Sequence, residues 1–245
     1  MNEHYISALV LLDLSAAFDT KDHNILLSRL SSNFGITDTA LSLLSSYLSN
    51  RSQSVLINQT CSAQLPLLRG VPQGSVLGPL LFSLYTTPLS ELLASSGGKF
   101  HFYADDTQIY VSFSCDDTSV ALSNLSVTLN NVYNWFCLNR LAVNPAKTEY
   151  LLTGTYQQRA KISDSDSVTS FRELCLIHSR SARNLGVIFD SELKFNDHVS
   201  AVRRSSYFFI RQLRFALHLT EIQPSSLPTP LSILNLIIVI LYSII

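Results

Sequence analysis

The apolar positions of this chain fall into short runs of changing period, and the period suggests an element for each. Residues 8–14, ALVLLDL, are nearly continuous in apolar character and stop at the polar phrase SAAFDTKD, the pattern of a buried strand. One acid, Asp13, lies inside that run, and a buried carboxylate needs a metal, a partner or a function. Asp22 is placed to cap a helix over about residues 23–34, with Ile25, Leu26, Leu30 and Phe34 on its apolar face and Gly35 just past its end. A second helix is expected from Thr37 to Ser49. The stretch SQSVLINQTCSAQLPL then alternates as a hairpin does, and RGVPQGSVLGPLLFSLYTTPLSELLASSGG reads as a Gly/Pro-punctuated loop leading into an apolar helix.

In KFHFYADDTQIYVSF the two halves alternate apolar and polar side chains about Asp105 and Asp106, which predicts a tight hairpin with the acids at its tip. From Thr118 to Leu138 the spacing of Val120, Leu122, Leu125, Leu129, Val132, Trp135 and Phe136 predicts an amphipathic helix lying across a sheet. NPAKTEYLLTG turns at Pro145 into a strand, whereas residues 155–182 are polar and irregular and predict nothing definite. NLGVIFD has strand character, and a cationic helix is expected from near Asn196. The last fifteen residues, LSILNLIIVILYSII, hold twelve apolar side chains. A membrane span needs roughly 18 to 20, so the expectation is a divergent hydrophobic tail rather than an anchor.

Composition narrows the class. The chain has 245 residues, 47% hydrophobic and 14% charged, enough to bury a core and too apolar for a disordered chain. Four cysteines without C-x-x-C or zinc-ligand spacing read as buried thiols in a reducing compartment. The first residues lack a basic segment followed by a clean apolar stretch, so the expected location is inside the cell, in cytoplasm or nucleus. Residues 1–139 carry five Lys/Arg against ten Asp/Glu, net −5, and residues 140–215 carry twelve against seven, net +5. Such a split suits an enzyme that gathers metal-binding acids in one region and phosphate-binding cations in the next, although an uneven division also arises by chance.

The candidate chemistry is three carboxylates, Asp13, Asp105 and Asp106, on two strand-like segments that one sheet could bring together. Hard divalent cations prefer oxygen ligands, and two ions some 3.5 to 4 Å apart activate an attacking hydroxyl while stabilising a leaving phosphate oxygen. The implied reaction is nucleotidyl transfer. Taken alone, an Asp-Asp pair at a hairpin tip is equally an ordinary solvated turn.

In order along the chain, LDLSAAFD (12–19), RGVPQGSVLGPLLF (69–82), FYADD (102–106), LNRLAVNPAKTE (138–149) and NLGVIFD (184–190) resemble motifs A to E of reverse transcriptases, and within them the non-LTR, LINE-type retrotransposon branch. The resemblance covers about residues 5–215. It implies an α+β fold, the right-hand polymerase palm of an antiparallel sheet backed by helices, over 5–190, with the start of a thumb over 191–220 and a divergent tail over 221–245. It implies an RNA-directed DNA polymerase that extends a primer 3′-OH using RNA template, DNA primer and deoxynucleoside triphosphates, with two Mg²⁺ ions or Mn²⁺ in their place. The alternative is a catalytically silent palm that only binds nucleic acid.

Carried over by resemblance, Asp13, Asp105 and Asp106 are the metal ligands, and Phe18 occupies the position whose ring excludes a ribose 2′-OH. Gln73 and Gly74 match the turn against template and incoming nucleotide. Lys147 matches the lysine that protonates or neutralises the departing pyrophosphate. Gly186 matches the primer grip, and Arg203, Arg204, Arg211 and Arg214 recur where they could follow a phosphate backbone. Two departures stand out: the chain begins only twelve residues before Asp13, so the fingers are expected to be missing and the chain a fragment, and Lys21 replaces a usually apolar residue.

Overall fold

The computed structural model describes residues 5–71, 74–162, 168–171 and 174–221. In chain order the elements are β1 (Tyr5–Leu12), β2 (Leu14–Ser15), α1 (His23–Ser32), α2 (Asp38–Leu48), β3 (Arg51–Gln53), β4 (Leu56–Ile57), β5 (Thr60–Cys61), β6 (Leu65–Leu67) and α3 (Leu77–Ser95). They continue with β7 (Lys99–Tyr103), β8 (Asp106–Ser114), α4 (Thr118–Leu138), β9 (Ala142–Val143), β10 (Glu149–Thr153), α5 (Tyr156–Arg159), β11 (Val168–Phe171), β12 (Leu174–Ile177), β13 (Ser181–Asn184), β14 (Val187–Asp190) and α6 (Asn196–Glu221).

The central sheet is antiparallel with strand order β10-β1-β8-β7. Its interior strand β1 shows why residues 8–14 read as a continuous apolar run. Ile6, Ala8, Val10 and Leu12 enter the main core beneath the sheet, where α3 supplies Leu81, Phe82, Tyr85 and Leu89 and α4 supplies Leu125, Leu129, Val132 and Phe136. On the other face, Leu9 and Leu11 pack with Leu151, Ala182 and Phe189. A strand covered on both faces has no polar side to alternate with. Arg29 of α1 ties the helical layer together: its guanidinium donates to the Tyr85 carbonyl and to Asn139 Oδ1 and lies over the rings of Tyr85 and Trp135.

Local signals hold where they rest on short-range chemistry. Asp22 caps α1 by accepting from the Asn24 and Ile25 amides, and Gly35, at φ +64°, follows the helix end. Helix α4 spans the expected residues, and the acidic hairpin β7–β8 forms. The alternating stretch after α2 is a ribbon of two pairings, β3–β6 and β4–β5, with Val55, Leu56, Ile57 and Leu65 exposed.

Two expectations are corrected, and one stretch that predicted nothing definite is resolved. NLGVIFD is not one strand: Asn184 closes β13, Leu185 and Gly186 form a two-residue turn with positive φ at both positions, and β14 begins at Val187. The unplaced polar stretch contains α5, held by a Thr155–Gln158 capping box, and the β11–β12 hairpin. The cysteines are not uniformly buried thiols, since Cys61 and Cys137 are exposed. Among the described residues no helix is long and apolar enough to cross a membrane. The hydrophobic tail from residue 231, and Gln73, lie outside the described residues.

Candidate active site

Asp13 directly follows β1. The last β1–β8 pair is Leu12 with Thr107, so continuing that antiparallel register by one residue sets Asp13 opposite Asp106, although the two are far apart in sequence. Tyr103 pairs with Asp106, which leaves Ala104 and Asp105 as the two-residue tip of the β7–β8 hairpin. Ala104 sits at φ +53°, a left-handed conformation a non-glycine residue rarely adopts.

The charge pattern follows from this geometry. Burial, and then repulsion by Asp105 and Asp13, push the Asp106 carboxyl above the usual carboxylate range, while Lys147 pulls it back. Asp13 Oδ2 is buried with no hydrogen-bond donor among the described residues, and the nearest cation, Lys147 Nζ, is 3.8 Å away. That distance is an ion pair and not a hydrogen bond, and the Lys147 side chain is 69% exposed. Lys147 is nonetheless held at this place. The Asn144 amide donates to the Asp13 carbonyl at 2.8 Å, and the turn from Asn144 to Thr148 is closed by bonds to Asn144.

Asp13, Asp106 and Lys147 line one small cleft of about 70 Å³ together with Glu149, Arg183 and Asn184. The last three were not among the residues expected at the site. Glu149 stands opposite Leu11 and accepts from the Arg183 amide, and Asn184 Oδ1 accepts from Gln108 Nε2, so the β13–β14 turn closes one side of the cleft. Glu149 had a signal in the sequence, an acid at the head of the apolar run YLLT; Arg183 had none.

Asp105 lies to the side. It does not line that cleft, and it acts electrostatically on Lys21. Among the described residues no three acidic, His or Cys side chains are gathered into a ready metal cage. The donor set still fits a divalent ion: it is all oxygen, one buried carboxylate oxygen lacks a donor, and a neighbouring carboxyl is held up by burial and then by like charges.

The second half of the site is the junction of the turn after β2 with residues 70 and 71. Gly70 N donates to the Lys21 carbonyl at 2.8 Å, Val71 N donates to the Phe18 carbonyl at 3.0 Å, and the His23 ring bonds the Gly70 carbonyl at 2.7 Å. Gly70, at φ +83°, is pressed so close that a Cβ there would lie 2.8 Å from the Phe18 and Asp19 backbone. The half-buried Phe18 ring stacks on Phe82 with centroids 5.3 Å apart. Gly74 is exposed at φ +76° with open space around it.

Gly186 stands in the β13–β14 turn at φ +85°. Arg203 and Arg204 are exposed on α6, where with Tyr207, Phe208 and Arg211 they line an open groove of about 550 Å³ that includes none of the acids.

Residues 2–189 match the family described as reverse transcriptase (RNA-dependent DNA polymerase). The chain is 30% identical over 229 residues to a probable RNA-directed DNA polymerase from transposon BS of Drosophila melanogaster, covering 89% of this chain and 24% of that protein. It is 29% identical over 211 residues to the RNA-directed DNA polymerase from mobile element jockey of Drosophila funebris, covering 84% of this chain and 22% of the relative. It thus spans about a quarter of the length of these curated relatives. Among solved structures, apo telomerase from Candida tropicalis superposes with a TM-score of 0.52 at 12% identity, covering 78% of this chain and 35% of the telomerase, a likeness of fold. A Candida tropicalis telomerase in complex with a fragment of telomeric RNA superposes with a TM-score of 0.52 at 13% identity, covering 79% and 29%. With five motifs in order, an antiparallel sheet that sets Asp13 against Asp106, and a family match over most of its length, the chain belongs to the reverse transcriptases, in the branch carried by LINE-type retrotransposons.

Proposed function

We propose that this chain is the palm of an RNA-directed DNA polymerase that adds deoxynucleotides to a primer 3′-OH on an RNA template. The observation that carries the reading is the cross-sheet placement of Asp13 against Asp106, with a buried, undonated oxygen on the first and a carboxyl raised by burial and then by like charges on the second. The family works with divalent cations; that Asp13, Asp105 and Asp106 hold two Mg²⁺ ions, or Mn²⁺, is our reading. Bound there, such ions supply charge to activate the attacking hydroxyl and to stabilise the leaving oxygen.

The chain's own residues take the remaining roles. Lys147, on a turn hung from the Asp13 carbonyl, has the exposure and reach to meet a departing pyrophosphate. Phe18, held against Phe82, excludes the ribose 2′-OH. Gln73 and Gly74 contact the template and the incoming nucleotide. Gly186, Arg203 and Arg204 contact the primer and backbone phosphates, for which exposed arginines interleaved with Tyr207 and Phe208 are suited. We assign residues 5–190 to the palm and 191–220 to the start of the thumb, and place the protein's work in the cytoplasm or nucleus.

The second reading, a silent palm that only holds nucleic acid, is favoured by Asp105 standing outside the cleft that Asp13 and Asp106 line. One experiment separates the two. The parent protein containing this segment is assayed for extension of a DNA primer on an RNA template with Mg²⁺, beside Asp105→Asn. Extension by the parent and loss of it in the variant, with nucleic-acid binding retained, supports the polymerase reading. A folded parent that binds nucleic acid but never extends supports the silent one.

A further inference from the structure

Lys21 is the one charged side chain that is fully enclosed among the described residues, at 0% exposure. Its Nζ has no hydrogen-bond partner there. What it touches is aromatic: the ammonium stands 4.3 Å from the centroid of Phe18 and 4.6 Å from that of Phe82, and those two rings stack on each other. The charged groups that face it are Asp105, at the hairpin tip, and Asp19, two residues before it. An enclosed ammonium cannot meet a substrate. What it can do is hold the two rings, because each presents its negative face to the cation in surroundings from which water is excluded.

The backbone points the same way. The segment from Phe18 to Lys21 is fixed at both ends by consecutive residues of another strand of chain, Val71 N to the Phe18 carbonyl and Gly70 N to the Lys21 carbonyl. With the backbone fixed, the remaining freedom is rotation of the half-buried Phe18 ring, and the shared cation opposes it.

We infer that Lys21 is a positioning residue which, through its contacts with Phe18 and Phe82, sets how strictly the nucleotide site discriminates deoxyribose from ribose. This rests on the reading of Phe18 as the ring that meets the sugar, and the two can fail separately.

The test uses the parent polymerase, with kcat and KM measured for dGTP and GTP in wild type and in Lys21→Met, which keeps the volume and removes the charge. The expected result is a discrimination ratio lowered roughly three- to tenfold, the range one or two lost cation-π contacts would give. It should arise from a lower KM for GTP, with kcat for dGTP nearly unchanged and thermal stability equal or higher. Phe82→Leu, which removes one of the two rings under the cation, should move the ratio in the same direction and provides the second variant if Lys21→Met does not fold. An unchanged ratio in a folded, active Lys21→Met enzyme overturns the inference while leaving the polymerase reading intact. So does a variant that melts lower at an unchanged ratio, since Lys21 would then serve the fold alone. A wild-type parent that extends no primer refutes the polymerase reading, and the inference falls with it.

Discussion

Replacing Gly70 by alanine probes the joint between the turn after β2 and the segment that leads to α3. Two costs add at this position. At φ +83° an L-residue pays for the left-handed conformation, about 1 to 2 kcal/mol. In addition the new Cβ would sit 2.8 Å from the Asp19 Cα, the Asp19 carbonyl oxygen and the Phe18 carbonyl oxygen, backbone atoms that cannot rotate away, so the overpacking range of about 1 to 3 kcal/mol applies. Lower entropy of the unfolded chain returns about 0.4 to 1 kcal/mol. The net expectation is a loss of about 2 to 4 kcal/mol. Gly35→Ala is the control, because Gly35 has a similar φ of +64° with nothing within 4 Å of its Cβ position, and should cost about 1 kcal/mol. Urea unfolding of both variants, followed by the fluorescence of Trp135, the only tryptophan, gives the difference directly. If the two variants unfold at the same urea concentration, the close approach of Gly70 to the Phe18–Asp19 backbone is not a constraint on the fold and the reasoning fails.

Burial lowers the Lys21 amine from 10.5 to about 8, against the attraction of Asp105 and then Asp19. The unfolded chain therefore binds more protons between those values, so wild-type stability should rise with pH across that window and carry the full cost below about pH 8. The shift bounds that cost at about 3 kcal/mol; Lys21→Met should be more stable at pH 7 and lose the slope, and an unchanged slope in denaturation at pH 7 and pH 10 would contradict this. Asp106, held above its ordinary range by burial and by Asp105 and Asp13, makes the fold lose stability as pH rises from the unfolded carboxylate value towards the folded one. Asp106→Asn should thus melt higher than wild type at pH 7 without divalent cations and gain nothing when Mg²⁺ is added, while wild type gains; a variant still stabilised by Mg²⁺ in a melting series would remove Asp106 from the site. Lys147→Ala should slow primer extension by the parent protein about a hundredfold with nucleotide KM little changed, and a drop in affinity alone would assign the lysine to binding. Arg203→Ala combined with Arg204→Ala should weaken nucleic-acid binding at low salt and reduce the slope of log affinity against log salt by about 1 to 2, checked by titration at several salt concentrations; an unchanged slope would take α6 out of the interface.

Much of the framework was legible in the order of residues because it depends on neighbours in sequence. Asp22 caps α1 through amides two and three residues away, α4 follows its own apolar stripe, and the β7–β8 hairpin turns where alternation meets Asp105 and Asp106. The anomaly of an acid in the apolar run 8–14 marked Asp13 before any partner was visible. Pairing was beyond such signals. A side chain's period reports that it is buried or exposed, but not against what, and only the sheet order β10-β1-β8-β7 sets Asp13 opposite Asp106. The same limit hid the β13–β14 turn, whose Leu185 adopts a positive φ that its type disfavours, and with it the approach of Arg183 and Asn184 to the acids. It also left the thiols of Cys61 and Cys137 looking buried when they are not. Lys21 is the sharpest case. Its charge predicts solvent, yet Gly70 and Val71 bind the backbone around it and two phenylalanine rings enclose it, a burial decided by long-range contacts that overrule the preference of one side chain for water.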